Sequence, residues 1–241
     1  MTRRRCIADE VSGNRSALTG EHADHLIRIL RARVGQEFDI ATGPTVRRGR
    51  IAAIASQRVE FDLGEELPAS AASEITLALA IFKFDRMEWA IEKCTELGVA
   101  RIVPVIARRT DAHLAAASAK RTERWRRLAL QASEQSRRAI PPEITAPLKL
   151  ADATALPSAL RIVLAESEQK PLSDVLESHA GDAHSPESQI ILAVGPEGGW
   201  ADEELESFHR AGWTAASLGR MILRAETAAI AATAIVISQL S

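Results

Sequence analysis

Two glycine-marked turns between Ile190 and Ser238 constrain this chain more than any other feature. The first, Gly195-Pro196-Glu197-Gly198-Gly199, directly follows the apolar run Ile190–Val194. The second, Leu218-Gly219-Arg220-Met221-Ile222-Leu223-Arg224-Ala225-Glu226-Thr227-Ala228, opens the small-residue run Ala228–Ile237. Each reads as strand, turn and helix start, so two sets of backbone N–H groups are expected to converge at the carboxyl edge of one parallel sheet. Open α/β sheets bind ligands at that edge. Glycines at 195, 198 and 199 permit positive φ and a close approach of the backbone to a flat ligand. A phosphate is the competing ligand, since glycine-rich loops before helices also suit anions. The spacing fits neither Gly-x-x-x-x-Gly-Lys-Ser/Thr nor Gly-x-Gly-x-x-Gly, and Asp202-Glu203-Glu204 would oppose an anion. A neutral or cationic ligand fits better.

From Glu74 onward strands and helices alternate, which predicts an α/β unit with a mainly parallel sheet. Ile75–Ile81 is almost unbroken apolar sequence, as in a strand covered on both faces. Asp85 and Glu88 have capping-box spacing, Met87, Ile91, Cys94 and Leu97 recur at helical period, and Gly98 stops the helix. Arg101–Ile106, Arg161–Ala165 and Ile190–Val194 read as further strands, with an amphipathic helix over about Lys120 to Arg138 and a polar loop over Gly181–Gln189. Trp125 is expected inside, and Trp200 over the mouth of the pocket. The last helix, Ala225–Leu240, is apolar nearly all round, so it needs cover on most sides, and a second subunit is a natural cover. Residues 1–70 read differently, as a compact β-rich module with strands at Phe38–Ala41, Arg50–Ile54 and Val59–Leu63. A short helix carrying Leu26, Ile27 and Leu30 ends near Gly35, and Glu65 through Ser73 forms a linker.

Composition enters through its asymmetry. The net charge of −2 hides eleven Lys/Arg against seven Asp/Glu in residues 1–60, a net +4. Residues 101–140 hold ten against three, a net +7, whereas residues 151–241 hold five against thirteen, a net −8. A polyanionic partner would meet the first and middle parts of the chain. With 46% hydrophobic and 26% charged residues the chain is of globular type. No stretch approaches the ~20 apolar residues of a membrane span, and no signal peptide is read at the start. Cys6 and Cys94 have neither metal spacing nor a disulfide framework, and a reducing cytoplasm is expected. His22 and His25 sit at i, i+3 without evident partners, so helix packing or an RNA-facing role is expected of them, and no metal.

The two turns, in this order, resemble those of the SPOUT methyltransferases, and within them of the RsmE family of 16S ribosomal RNA (uridine-N3) methyltransferases. The likeness extends to Phe84-Asp85-Arg86-Met87-Glu88-Trp89-Ala90-Ile91-Glu92-Lys93 with Glu96-Leu97-Gly98-Val99, to Gln131-Ala132-Ser133-Glu134-Gln135-Ser136-Arg137-Arg138, and to His22 through Arg31. It implies a PUA-like RNA-binding domain over residues 1–70 and a trefoil-knotted, S-adenosylmethionine-binding domain over residues 74–241. The knot follows from the resemblance alone, against the general rule that chains do not thread. A homodimer that packs the knotted regions together is also implied. Family members usually carry Ser or Thr where Ala201 stands, so a helix cap is missing here.

What the resemblance implies for the site is specific. S-adenosylmethionine is expected against Leu164, Gly195, Pro196, Glu197, Gly198, Gly199, Leu218, Gly219, Ile222, Leu223 and Thr227. Arg224 and Glu226 are the expected catalytic residues. N3 of uridine carries a proton that must leave, and an arginine near O2 or O4 would stabilise the resulting anion. Arg224 also stands where the helix dipole disfavours a cation. Glu226 and Glu197 are both candidates for the proton acceptor. The RNA surface is expected to include Arg3, Arg4, Arg5, Arg28, Arg31 and Arg33, with Arg121, Arg124, Arg126, Arg127, Arg137 and Arg138, because a guanidinium binds phosphate bidentately and stacks on bases. Two rivals remain: an enzyme acting on a ribose 2′-hydroxyl, and a silent ribosome-assembly factor that keeps only the basic surface.

Overall fold

The computed structural model describes residues 4–68, 74–179 and 189–240. The chain divides into two compact units, one of Met1–Ala71 with Leu130–Pro141 and one of Ala72–Ala129 with Pro142–Ser241. The boundary falls inside a long helix, so the segment from Leu130 to Pro141 belongs with the amino-terminal residues.

The first unit runs through β1 (Arg5–Ile7), β2 (Glu10–Ser12), β3 (Arg15–Thr19), α1 (Gly20–Asp24), a π-helical turn at His25–Ile29, β4 (Glu37–Ala41), β5 (Val46–Ala55) and β6 (Arg58–Leu67). These strands form a mixed sheet in the order β1-β4-β5-β6-β3-β2, parallel only between β1 and β4. Val59, Phe61 and Leu63 are buried while Arg58, Glu60 and Asp62 alternate outward, the period of a half-covered strand. Phe38 meets Phe61 edge-on at 6.0 Å, within a core that includes Leu18, Leu26, Ile40 and Ile51.

Strands β5 and β6 are ten residues each, longer than their apolar cores predict. The extension is polar: Arg48 reaches Glu37, Asp39 and Glu65 at 3.5–3.7 Å. Glu65 to Leu67, expected in the linker, is therefore strand, and the rest of that linker from Ala69 lies outside the described residues.

His22 does have partners. Its ring lies 2.7 Å from Glu134 Oε1 and 3.4 Å from Asp9, and Glu134 also accepts the Ile7 N–H at 3.0 Å. Burial alone would lower the imidazole, but hydrogen bonds to Asp9 and Glu134, with their charges, outweigh it and push it up to about 9. A raised folded-state value stabilises fully below the unfolded value of 6.5 and is lost as pH rises through 9. Asp9, also burdened by burial but held down by His22 and the Thr19 N–H, loses its contribution in acid. A shift of this size corresponds to a few kcal/mol, on the order of 3. The midpoint of thermal unfolding should therefore fall between about pH 6.5 and 9, and His22→Gln should flatten that fall. An equally steep fall in the variant would remove His22 as its source.

The second unit continues with β7 (Ile75–Ala80), α2 (Phe84–Leu97), β8 (Arg101–Ile106), α3 (Ala112–Gln135), β9 (Glu143–Ile144), β10 (Leu148–Lys149), α4 (Leu150–Thr154), β11 (Leu160–Leu164), α5 (Leu172–Glu177), β12 (Ile190–Val194), α6 (Asp202–Arg210), β13 (Thr214–Ala216) and α7 (Ala225–Leu240). Helix α3 passes into the first unit at Leu130. The sheet is parallel throughout, in the order β10-β8-β7-β12-β11-β13, with β9 also on β8. Its apolar runs supply two cores at once. Ile75, Leu77, Leu79, Ile190 and Leu192 face one layer with Met87, Ile91, Trp125 and Ala229. Ala78, Ala80, Ile191 and Ala193 face the other, with Trp200, Phe208 and Trp213. This double coverage explains the lack of alternation in β7 and β12.

Three local expectations change. Asp85 lies inside the first turn of α2, whose N-cap is Lys83 with no side-chain cap, so the capping box does not form; Glu88 instead pairs with Arg121 and Arg124. Helix α3 starts at Ala112, not Lys120, because the alanine-rich segment propagates helix from Asp111. It ends at Gln135 because Arg137 turns left-handed at φ 61°. Gly98 does stop α2, in the left-handed conformation at φ 113°. Among the described residues no helix is long and apolar enough to cross a membrane. Of the expected polar loop Gly181–Gln189, all but Gln189 lies outside the described residues.

Candidate functional site

The carboxyl ends of β11, β12 and β13 open on a cavity of 310 Å³. The three strands are adjacent in register, Val163 against Ala193 on one side and Leu164 against Ala216 on the other, so the loops that follow them must crowd together. Each loop contributes: Leu164–Ser167, Val194–Trp200 and Ala216–Leu223 all line the cavity, with Ala225 and Ala228 from α7. The site lies within the second unit, in a size range that suits small-molecule ligands (~300–1,000 Å³).

The first turn is closed by Gly199 N–H donating to Pro196 O at 2.8 Å, with Gly199 at φ 67°. Of the three glycines of this turn, only Gly199 uses the positive φ that glycine permits; Gly195 and Gly198 have ordinary φ. Gly195 is needed for space: a Cβ there would stand 3.3 Å from the Trp200 backbone nitrogen and 3.2 Å from its indole nitrogen. In the second turn Gly219 takes φ 111°, and the Ser217 hydroxyl accepts its N–H at 3.1 Å. The absent cap at Ala201 is offset by Glu204, whose buried carboxylate accepts the Ala201 N–H at 2.9 Å and the Arg108 N–H at 2.7 Å.

Ten of the residues expected around the ligand line the cavity: Leu164, Gly195, Pro196, Glu197, Gly198, Gly199, Leu218, Gly219, Ile222 and Leu223. Thr227 does not; it is exposed on the first turn of α7. Sequence reasoning missed Arg109. Its Nη1 donates to Gly198 O at 2.5 Å and to Trp200 O at 3.2 Å, tying down the glycine turn from the loop after β8. Trp200 is buried at the cavity wall, stacked edge-on with Phe208 at 4.9 Å.

Arg224 and Glu226 are not among the cavity-lining residues. Arg224 caps α7, its carbonyl accepting the Ala228 N–H at 2.8 Å, and its side chain is exposed with no hydrogen bond or ion pair among the described residues. Glu226, two residues on, is 3% exposed and turned to Arg86 at 3.8 Å. Arg86 also reaches Glu197 at 3.2 Å, so one guanidinium on α2 joins a carboxylate from each glycine turn. Glu226 Oε2 is buried without a hydrogen-bond partner.

The arginines expected at RNA differ in their availability. Arg4, Arg28, Arg31, Arg33, Arg127 and Arg137 are exposed. Arg5 donates to the Arg137 carbonyl, and burial pushes Arg138 down to about 10. Arg124 forms a two-point pair with Glu88 at 2.7 and 2.8 Å, Arg121 stacks over Phe84 at 4.8 Å, and Arg126 donates to Ile144 O at 3.1 Å. Arg3 lies outside the described residues. Among the described residues, no group of three or more His, Cys, Asp or Glu could hold a metal ion.

Known proteins match this chain along most of its length. Residues 69–237 fit the family described as RNA methyltransferase domain. The ribosomal RNA small subunit methyltransferase E of Synechocystis sp. is 33% identical, covering 90% of this chain and 71% of its own. That of Rickettsia conorii is 32% identical, covering 90% and 87%. Among solved structures, the same enzyme from Neisseria gonorrhoeae bound to S-adenosyl methionine superposes with a TM-score of 0.83 at 29% identity, covering 97% of this chain and 96% of its own. A putative methyltransferase of Legionella pneumophila in complex with the bound cofactor SAM gives 0.86 at 28% identity, covering 99% and 98%. The fold is accordingly that of a PUA-like amino-terminal unit and a SPOUT-type parallel sheet, and the chain belongs to the ribosomal RNA small subunit methyltransferase E (RsmE) family.

Proposed function

We propose that this chain is an S-adenosylmethionine-dependent methyltransferase that acts on N3 of a uridine in the 16S RNA of the small ribosomal subunit. The observation that carries the reading is the cavity built by the two glycine turns where β11, β12 and β13 end. Its residues fit the cofactor. Leu164, Val194, Leu218 and Ala228 offer apolar walls for an adenine, while Glu166, Glu197 and Asp202 place carboxylates where a sulfonium can be neutralised. S-adenosylmethionine, when bound, supplies an electrophilic methyl group. We infer that the surrounding turns are tied in the trefoil knot that the family resemblance implies.

The chain's own residues then have three tasks. Arg109 and the Gly195–Gly199 turn fix the wall of the cavity, so that methyl donor and base are held in line; alignment of this kind is worth ~7–11 kcal/mol at best. Arg224 stabilises the uracil anion left when the N3 proton departs. An uncompensated cation at a helix amino terminus costs ~0.3–1 kcal/mol, and Arg224 meets no carboxylate among the described residues, which supports a role toward substrate. Glu197, which lines the cavity, takes the proton, whereas buried Glu226 acts through the Arg86 it shares with Glu197. Met221 and Ile222, 80% and 82% exposed beside the apolar α7, support a homodimer that covers them. A cytoplasmic location follows from a ribosomal substrate.

Incubating the protein and S-adenosylmethionine with unmodified small subunits, then analysing nucleosides, should yield 3-methyluridine. A 2′-O-methylated nucleoside, or cofactor binding without any transfer to RNA, would overturn this reading.

A further inference from the structure

The corner from Arg28 to Gly35 in the first unit holds one of three left-handed non-glycine residues among the described residues, the others being Gln57 and Arg137. The π-helical turn brings the Leu30 N–H to His25 O at 3.2 Å, and the Ala32 N–H then reaches Leu26 O at 3.1 Å. Between them Arg31 sits left-handed at φ 51°, where a glycine or asparagine is normal because a Cβ crowds the following carbonyl. Arg137 ends α3 in the same conformation, but its carbonyl there accepts the Arg5 guanidinium. The left-handed residue lets the Ala32 N–H close the turn on Leu26 O, and it leaves the Arg31 guanidinium with no protein partner among the described residues.

The side chains around it fit one class of partner. Ile29 and Val34 are 67% and 64% exposed, while Leu26 behind them is buried. A single exposed aliphatic is ordinary, but these two stand among Arg28, Arg31 and Arg33. Arg50 joins them across β5, its guanidinium 3.6 Å from where a Gly35 Cβ would be. Of the nearby acids, Asp24 lies 3.8 Å from Arg28 in an exposed pair that is easily exchanged, and Glu37 and Asp62 stand opposite Arg50 in the sheet.

Resting on the reading of this chain as an RNA enzyme, we propose that the corner is a base-separating finger for single-stranded RNA. Ile29 and Val34 pack against the faces of an unpaired base, and Arg28, Arg31, Arg33 and Arg50 take the flanking phosphates. Apolar side chains wedge between bases elsewhere in nucleic-acid recognition, and a guanidinium fork suits phosphate. The arrangement favours an unstacked strand over a duplex, whose stacked bases present no face to the wedge, and a target uracil must itself be unpaired or extruded.

The test is binding of the full chain to a labelled oligouridine strand, alone and paired with oligoadenosine, across a salt series. Wild type should prefer the single strand. Ile29→Ala should weaken that binding about tenfold through lost apolar contact, with the salt slope unchanged. Arg31→Gly and Arg31→Asn suit the left-handed turn but remove the cation. Each should lower the log–log salt slope by about 0.7 while the melting temperature stays at or above that of wild type. Unchanged RNA affinity and salt slope in Arg31→Gly would leave Arg31 as no more than the left-handed residue of a turn and overturn the proposal. So would Ile29→Ala binding as wild type, or variants that bind oligouridine normally but no longer associate with the small subunit, which would make the corner a protein-facing surface. Wild type that binds neither strand would instead defeat the RNA reading on which the finger rests.

Discussion

Gly195→Val should lose about a hundredfold or more in affinity for S-adenosylmethionine, measured by calorimetry, while the first unit stays folded. The Cβ alone would sit 3.3 Å from the backbone nitrogen of Trp200, an atom that cannot move without shifting the buried indole and the turn that Arg109 holds. The two further methyls of valine must then enter the 310 Å³ cavity or displace its wall. Overpacking at such a site costs ~1–3 kcal/mol, and the volume taken from the ligand adds to it, at tenfold per ~1.4 kcal/mol. Gly198→Ala provides the contrast. Its Cβ would meet the flexible Arg109 Cδ at 3.4 Å, ordinary contact, and its φ is one that alanine adopts. A small effect at 198 beside a large one at 195 would place the cofactor against the first turn. Wild-type affinity in Gly195→Val would remove the cavity as its site.

The contrast between these two glycines also marks what could be read in the sequence. The backbone frame was legible because it is written in local signals: unbroken apolar runs at β7 and β12, Gly98 closing α2, and two glycine turns directly after strands. Ten of the eleven residues expected at the ligand line one cavity because their positions follow from where strands end. The distinction between a glycine needed for φ, such as Gly219, and one needed for space, such as Gly195, depends on Trp200 folding back over the turn, which no spacing encodes. Long-range polar contacts of charged side chains were equally invisible. Arg109 meets Gly198 across 89 positions, Arg86 meets Glu197 across 111, and His22 meets Glu134 across 112. Such pairs have no period, and each charged member alone looks like a solvated surface charge. The segments carrying Glu134 and His22 both belong to the family resemblance, a likeness compatible with their contact but insufficient to place it.

Arg224→Lys should reduce turnover by roughly 10²–10³, the usual scale for one lost oxyanion donor. The substitution retains the positive charge but loses the planar fork that can bridge a carbonyl oxygen and its neighbour, and the two residues are not equivalent at such a site. Cofactor affinity should change little, because Arg224 lies outside the lining of the cavity, on the N-cap of α7. The side chain is exposed and makes no ion pair among the described residues, so stability should also change little; a lysine there meets the same helix dipole. Raising the pH should partly restore turnover in the variant, since solvent then helps to remove the N3 proton that Arg224 otherwise makes easier to lose. Single-turnover rates with saturating cofactor, measured over a pH series, separate these effects from product release. If the lysine variant turns over at nearly the wild-type rate and its pH profile is unaltered, Arg224 serves only as a solvated cation at the helix end, and the anion must be stabilised by another group at the cavity mouth, where Arg109 and Arg220 are the remaining cations.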